Sequence, residues 1–441
     1  MNLHGSPLDT GQSRRFRAAG TRIVLLAVVG LVAGTVSLFT TSAGAATAET
    51  TGPTIPNFDT VGLSCWAADQ CMAVGNEYSN PISKDGAPGA YVLRGTTWNT
   101  ANIAIPSGDS NGKLIPQDVS CVSSTFCMVV GDFLQGPGMP QGFAELWDGS
   151  KWLSISMPTS NNPQYSGGSV YGVSCPTTTF CAAVGIFQGT NVPIEPQIDL
   201  LRGRSFEAQT LPPPSGLDQY DGIEINSISC SSVIFCEAVG SYNDGEYSIA
   251  TGPTNGLLRW LYNGWNWSIN QTPLNSPSTN SDTLLDVSCA RSAMCMINHA
   301  GPANGGLEDV ALSFEQDQHG NPKTTYPVPQ SSSNPELGQI GGVSCPNLIF
   351  CVAVGIQIST ASGSVSETGP YLASFDGSGW TTAPQPSTFT STTKPFLVSC
   401  VDTWTCGVIS VERNDTSGFD SIYIPLDYRS PKRPVNRWHR P

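Results

Sequence analysis

The residue whose type and spacing point most directly to chemistry in this chain is cysteine. Its 14 copies fall into seven C-x5-C pairs: Cys65/Cys71, Cys121/Cys127, Cys175/Cys181, Cys230/Cys236, Cys289/Cys295, Cys345/Cys351 and Cys400/Cys406. Thiols so placed can bridge or hold a metal. Structural zinc takes four ligands, usually in tight C-x2-4-C pairs with a matching second half. Here each pair would have to find its second half 54 or more residues away, and only three histidines follow residue 45. Seven local pairs at one spacing instead read as seven disulfides, each closing its own small loop. Each bridge is expected to join two strands across the mouth of their hairpin.

Other reactive types recur with less pattern. A serine precedes the first cysteine of every pair: Ser64, Ser120, Ser174, Ser229, Ser288, Ser344 and Ser399. Seven hydroxyls could line a channel and hold water or a small solute, or each could satisfy its own hairpin backbone. Shared scaffolding is the reading adopted, and a nucleophile would need a histidine base in each unit. Trp260, Tyr262, Trp265 and Trp267 crowd one turn. Such aromatics wedge neighbouring elements or stack on sugar rings, with Trp265 the candidate ligand contact. His299 and His319 fall in the fifth unit, where an irregular stretch over 315–321 makes His319 a second candidate contact. Asp109-Ser110-Asn111-Gly112 hints at calcium, but the glycine stands fourth where an EF-type loop needs it sixth. Calcium then rests on general acidity alone, and no cofactor is expected.

Placing seven sulfur pairs alike requires a repeated element. GVSCPTTTFCAAVG (172–185), SISCSSVIFCEAVG (227–240) and GVSCPNLIFCVAVG (342–355) are near copies, and 286–299 and 397–410 are the worn members. A second word follows, as LRGTTW (93–98), LWDGSKW (146–152), LRGRSF (201–206), LYNGWNW (261–267) and SFDGSGW (374–380). Each unit reads as four short antiparallel strands. The first ends in V-S-C, the second carries C-x-A-V-G, the third is a short apolar run such as Ile198–Leu201, and a glycine turn opens a fourth at Trp or Phe. With 46 Gly, 34 Pro and only 12% charged residues, the composition suits an all-β protein.

The first cysteines are separated by 54 to 59 residues, the length of one propeller blade. An open stack of seven such sheets would leave two apolar faces uncovered, so the ring is expected to close. Repeats start near 62, 118, 172, 227, 286, 342 and 397. The last has room for three strands, and Thr50–Pro56 resembles the fourth-strand ending at 381–386. Residues around 49–57 are therefore expected to complete the seventh blade as its outermost strand.

The S-C-x5-C-x-A-V-G and D-G-x-x-W words resemble those of secreted actinobacterial-type β-propeller repeat proteins, distantly sialidase-like and kelch-like. That resemblance implies a propeller and an extracellular location, and no particular activity. Sialidase-type catalysis would need three arginines converging on a substrate carboxylate. The body offers Arg94, Arg202, Arg204, Arg259, Arg291 and Arg413, of which Arg94 and Arg202 belong to the fourth-strand turn.

Residues 1–45 read as a signal peptide or an uncleaved membrane anchor. A basic region ends at Arg22, an apolar helix is expected over Ile23–Phe39, and a small-residue site follows at Ala43-Gly44-Ala45. Residues 46–428 form the propeller, and 429–441 read as a basic disordered tail with Arg429, Lys432, Arg433, Arg437 and Arg440. Between these ends stand 11 basic and 33 acidic side chains, a field that repels nucleic acid. The expectation is a secreted or cell-surface monomer acting as a non-enzymatic binding or scaffold module. Its partner would be a polysaccharide or cell-wall glycan, or another extracellular protein, with the membrane touched only through the N-terminal segment. The alternatives are a glycoside hydrolase or lyase of sialidase-like type, and a membrane-anchored assembly factor.

Overall fold

A computed structural model describes residues 52–428 apart from 79–85, 105–113, 135–137, 161, 191, 193, 213, 215–221, 244–254, 275–285, 292–293, 303–307, 317–321, 328–335, 360–365, 384, 388, 391–392 and 414–418. The expected N-terminal helix, the basic tail, the hinted calcium loop at 109–112 and His319 lie outside the described residues. No helix occurs among those described; the fold is an all-β propeller with antiparallel four-stranded blades.

β1 (Thr54–Ile55) precedes the first blade, which is β2 (Phe58–Ala67), β3 (Gln70–Glu77), β4 (Ala87–Arg94) and β5 (Thr97–Thr100). The second is β6 (Leu114–Ser123), β7 (Phe126–Leu134), β8 (Pro140–Trp147) and β9 (Trp152–Ile155). The third is β10 (Gly167–Thr177), β11 (Phe180–Gln188), β12 (Glu195–Arg202) and β13 (Ser205–Ala208). The fourth is β14 (Gly222–Ser232), β15 (Phe235–Asn243), β16 (Asn255–Tyr262) and β17 (Trp267–Leu274). The fifth is β18 (Asp286–Arg291), β19 (Met294–Pro302), β20 (Glu308–Gln316) and β21 (Pro322–Pro327). The sixth is β22 (Glu336–Asn347), β23 (Phe350–Ser359), β24 (Ser366–Phe375) and β25 (Trp380–Thr382). The seventh sheet joins β26 (Pro395–Cys400), β27 (Thr405–Arg413) and β28 (Phe419–Asp427) to β1 as its outer strand.

Thr54 pairs with Ile422 and Ile55 with Ser421, so the N-terminal strand is shorter than the 49–57 expected but sits where expected. In most blades the first strand starts several residues ahead of the repeated word, at Phe58, Leu114, Gly167, Gly222 and Glu336, because varied residues upstream also pair; the fifth starts at Asp286 and the seventh at Pro395. The first strands touch in sequence around the ring, and β26 contacts β2 to close it.

Every cysteine pair is bonded within its own hairpin. By the chain-entropy model so short a loop contributes roughly 2 kcal/mol per bond. Each bridge joins the two strands of its hairpin, as expected, and the second cysteine of each pair is the more deeply buried. Cys71, Cys127, Cys181, Cys236, Cys351 and Cys406 are completely sealed from solvent, and Cys295 is nearly so. The reason is their strand: the second strand of each blade has a neighbour on either side and a further blade packed on its faces. Those six cysteines are therefore core side chains, out of reach of any ligand or metal, and not members of a binding site. Their partners stand on the innermost strand, where Cys65, Cys121 and Cys400 keep part of their surface exposed.

All seven bridges lie at one end of the ring, with the first hairpin turns and the turns between third and fourth strands. The second strands end and the third strands begin at the other. The register shifts by one residue ahead of the V-S-C word, as between Thr60 and Gly62 or Val170 and Gly172. That bulge brings the inner strand against the glycine of C-x-A-V-G: a Cβ on Gly75 would lie 2.0 Å from the Asp59 carbonyl oxygen. Close approach therefore demands glycine there.

The repeated serine does not serve its own hairpin backbone, which corrects that reading; its hydroxyl accepts from the first cysteine's N–H in the next blade. Cys121 N–H donates to Ser64 Oγ, Cys175 to Ser120, Cys230 to Ser174, Cys289 to Ser229, Cys345 to Ser288 and Cys400 to Ser344, each at 2.9 Å. Cys65 N–H donates to Ser399 Oγ, also at 2.9 Å, and completes the circle. Each bond is worth about 1 kcal/mol net, and more is lost if the cysteine N–H is left unmet. Closure adds Thr60 N–H to Ser421 Oγ at 3.1 Å and Asn57 N–H to Asp420 Oδ1 at 2.8 Å.

Candidate functional site

Between adjacent blades the sheets pack apolar face to apolar face. Met72, Val74, Val92, Val129, Phe143, Trp147 and Trp152 fill the gap between the first and second. Polar side chains enter these gaps at a few strand positions. The carboxyl of Glu145, opposite Val129 on β8, is fully buried. It accepts from Ala104 N–H at 3.1 Å and from Ser154 Oγ at 3.5 Å, and burial lifts it to about 7. Asp199 holds the same position on β12, opposite Ala183, and burial pushes its carboxyl well above the usual range.

A cavity of about 110 Å³ opens beside Asp199 between the second and third blades, at the end of the ring away from the disulfides. Its walls include Gln141 and Gly142 of β8, Tyr165 and Ser166 of the blade connector, Phe187 of β11 and Gln197 of β12. The backbones come close at its neck: a Cβ on Gly167 would lie 2.4 Å from the Pro140 carbonyl oxygen. Gln141 Nε2 donates to the Ser166 carbonyl at 2.8 Å and fixes the connector. Tyr165 and Phe187 pair with ring centroids 6.5 Å apart. Burial, and then the charge of Glu195, raise the Tyr165 hydroxyl, so it stays a neutral donor. Gln197 Nε2 donates to Asp199 Oδ2 at 2.5 Å, while Asp199 Oδ1 is buried without a hydrogen bond. Protonated, Asp199 avoids an unpaired buried charge. No basic side chain lines the cavity; amides, hydroxyls and an aromatic pair do. Such a surface can hydrogen-bond and stack on an uncharged, hydroxyl-rich molecule.

The residues singled out from the sequence lie elsewhere. Trp265 is 88% exposed on the β16–β17 turn, at the disulfide end. Trp260, Tyr262 and Trp267 are buried and pack between the third and fourth blades, with Phe180 stacked on Tyr262. Arg94, Arg202 and Arg204 are exposed near the disulfide-end turns, and Arg259 is buried against Glu237 at 2.5 Å. The described residues therefore show no three arginines converging. The Asp376 turn is structural, with Oδ1 accepting from Ser378 N–H at 2.9 Å and Gly379 N–H at 3.1 Å. One described group gathers three ligand-type atoms, from Glu237, Cys289 and Cys295, but its sulfurs are bonded to each other. Sequence reasoning missed Gln141, Tyr165, Gln197 and Asp199. The available signal was an acid inside an apolar strand, Ile198-Asp199-Leu200-Leu201.

No family model and no curated protein matches this sequence. The fold is nevertheless shared with solved propellers. The polysaccharide lyase Uly1 is 8% identical with a TM-score of 0.53, over 83% of this chain and 89% of that one. YCF48 from Cyanidioschyzon merolae is 12% identical with a TM-score of 0.47, over 84% and 98%. Trypanosoma rangeli sialidase in complex with the inhibitor DANA is 10% identical with a TM-score of 0.41, over 80% and 59%. The likeness to Uly1 is one of fold alone.

Proposed function

We propose that this chain is an exported, disulfide-stapled seven-bladed propeller acting as a non-enzymatic binding module, and that the cleft between its second and third blades takes an uncharged, hydroxyl-rich ligand such as a neutral glycan segment. The observation that carries this reading is the cleft's lining. Gln141, Tyr165, Ser166 and Gln197 offer hydrogen bonds without charge, Tyr165 and Phe187 offer ring faces, and no cation is present to neutralise an acidic sugar. Export accords with the N-terminal basic-apolar-small pattern and with seven disulfides, which persist in oxidising compartments. A carbohydrate partner is in keeping with the shared fold of the polysaccharide lyase Uly1.

The test is a neutral-glycan array read with the wild-type protein and with Gln197→Ala. Binding to a restricted set of oligosaccharides, weakened about tenfold or more in the variant, is the expected result. New reducing ends or unsaturated products in the same mixtures would replace this reading with the hydrolase or lyase alternative.

A further inference from the structure

We propose that the disulfide end of the ring is a membrane-contacting face that seats Ile234, Trp265, Ile349 and Trp404 at the headgroup boundary of an anionic bilayer. Among the described residues, the large apolar side chains left exposed are Ile115 and six others: Val233, Ile234, Trp265, Leu348, Ile349 and Trp404. All six lie on turns at the disulfide end, in the fourth, sixth and seventh blades. The exposures of the four named in the proposal are 62%, 88%, 65% and 50%.

Packing does not require these side chains. Ile234 and Ile349 sit beneath Gly264 and Gly377 of the neighbouring turns, but Thr125 serves the same place beneath Gly149 in the second blade. The equivalent tips of the first three blades are Ala68-Asp69, Ser124-Thr125 and Thr178-Thr179. Where tips are polar, cations stand beside them: Arg94, Lys151, Arg202 and Arg204 are all exposed near this end. Asp69, Asp148, Asp376 and Asp402 are also there, the last three turned onto amides of their own turns.

Chain direction points both ends of the described residues toward this end. β1 runs away from the disulfides, so the polypeptide enters it from their side, where Trp98 Nε1 donates to the Pro53 carbonyl at 3.0 Å. β28 finishes there too, with Tyr428 N–H donating to the Trp404 carbonyl at 2.7 Å. The sequence beyond one junction holds the 17-residue apolar run 23–39, and that beyond the other holds five basic residues and Trp438. Tryptophan and isoleucine prongs, with Arg94, Lys151, Arg202 and Arg204 on the other blades of the same end and the basic sequence 429–441 beyond β28, suit the interface of an anionic membrane. Prongs spread over separate blades also suit a fluid surface better than one shape-matched protein partner, whose contact would be a continuous patch.

Hydrogen exchange of the full chain, with and without vesicles of phosphatidylglycerol and phosphatidylcholine, tests this. Peptides covering 231–237, 262–267, 346–352 and 401–406 should exchange about tenfold more slowly with anionic vesicles, and less so with phosphatidylcholine alone. The combined variant Ile234→Ser, Trp265→Ser, Ile349→Ser and Trp404→Ser should lose that protection while keeping the wild-type melting temperature. Vesicle binding that leaves the tips exchanging freely would overturn the proposal, since residues 23–39 would then be acting alone. The same protection appearing without lipid as protein concentration rises would assign the face to a second copy and overturn it as well. Protection that survives in the combined variant would also overturn it.

Discussion

Glu145 and Asp199 occupy the same register position in neighbouring blades, both sealed from solvent and both pushed toward the neutral form by burial. Their gaps differ. Between the first and second blades the connector turns inward: Ala101 and Ile103 are buried, Trp152 Nε1 donates to the Ala101 carbonyl at 2.9 Å, and Ala104 N–H reaches the Glu145 carboxylate. Between the second and third blades the acid is one methylene shorter and its partner comes from its own strand. The connector there lines an open cleft. One scaffold thus yields a filled gap or a cavity according to whether the connector brings a backbone donor to the buried acid. In the fourth blade that register position holds Trp260, and a buried acid at another position, Glu237, shows a third arrangement, paired to Arg259.

The largest effect should come from breaking that third arrangement. Arg259→Leu leaves Glu237 buried with its cation gone, and should cost about 3–5 kcal/mol in denaturant unfolding. Glu237→Leu added to it should recover most of the loss; a double variant as weak as the single would show that more than charge matching is at stake. Next comes the filled gap. Glu145 has its carboxyl raised from an ordinary 4.5 to about 7, so its stabilising share is complete below about pH 4.5 and is lost as pH rises through 7. Wild type should therefore lose up to a few kcal/mol between pH 5 and 8 from this group, and Glu145→Gln should flatten the profile. An unchanged slope in the variant would place the titration elsewhere.

Smaller still is the belt that both gaps share. Ser120→Ala removes the acceptor for Cys175 N–H and should cost about 1–3 kcal/mol, whereas Ser123→Ala, at an exposed turn on the same strand, should cost well under 1 kcal/mol. Equal losses would mean that the cross-blade bond is not what the serine supplies. Gln197→Ala should weaken ligand binding about tenfold or more, and should cost about 1–3 kcal/mol of stability because it also leaves the buried Asp199 carboxyl without its partner.

The ring was legible because its makers repeat. C-x5-C, the V-S-C word and the Trp-led fourth strands each map onto the strand expected, and the missing outer strand of the last blade pointed to residues near Thr54. Spacing alone did not show that the second cysteine of a pair is the more deeply buried, because that difference comes from the neighbouring blade. The serine bonds were not legible either, since a repeat shows which residue recurs but not whether its partner lies in its own unit or the next. The cleft was hidden for a related reason. Gln141, Tyr165 and Gln197 come from two blades and the connector between them, so no single motif contains them. Asp199 was passed over inside an apolar strand, and Glu145 reads the same way in Phe143-Ala144-Glu145-Leu146-Trp147; only the packed connector tells the two acids apart. Trp265 was recognised as exposed, but its place at the opposite end from the cleft depends on strand direction.

The most direct measurement is a crystal structure of the protein soaked with cellotetraose as a neutral probe. Sugar rings resting on Tyr165 and Phe187 with a hydroxyl bonded to Gln197 is the expected result. A cleft closed by its own 157–166 segment, or sugar ordered only at another blade gap, would contradict the distinction drawn between the two neighbouring gaps.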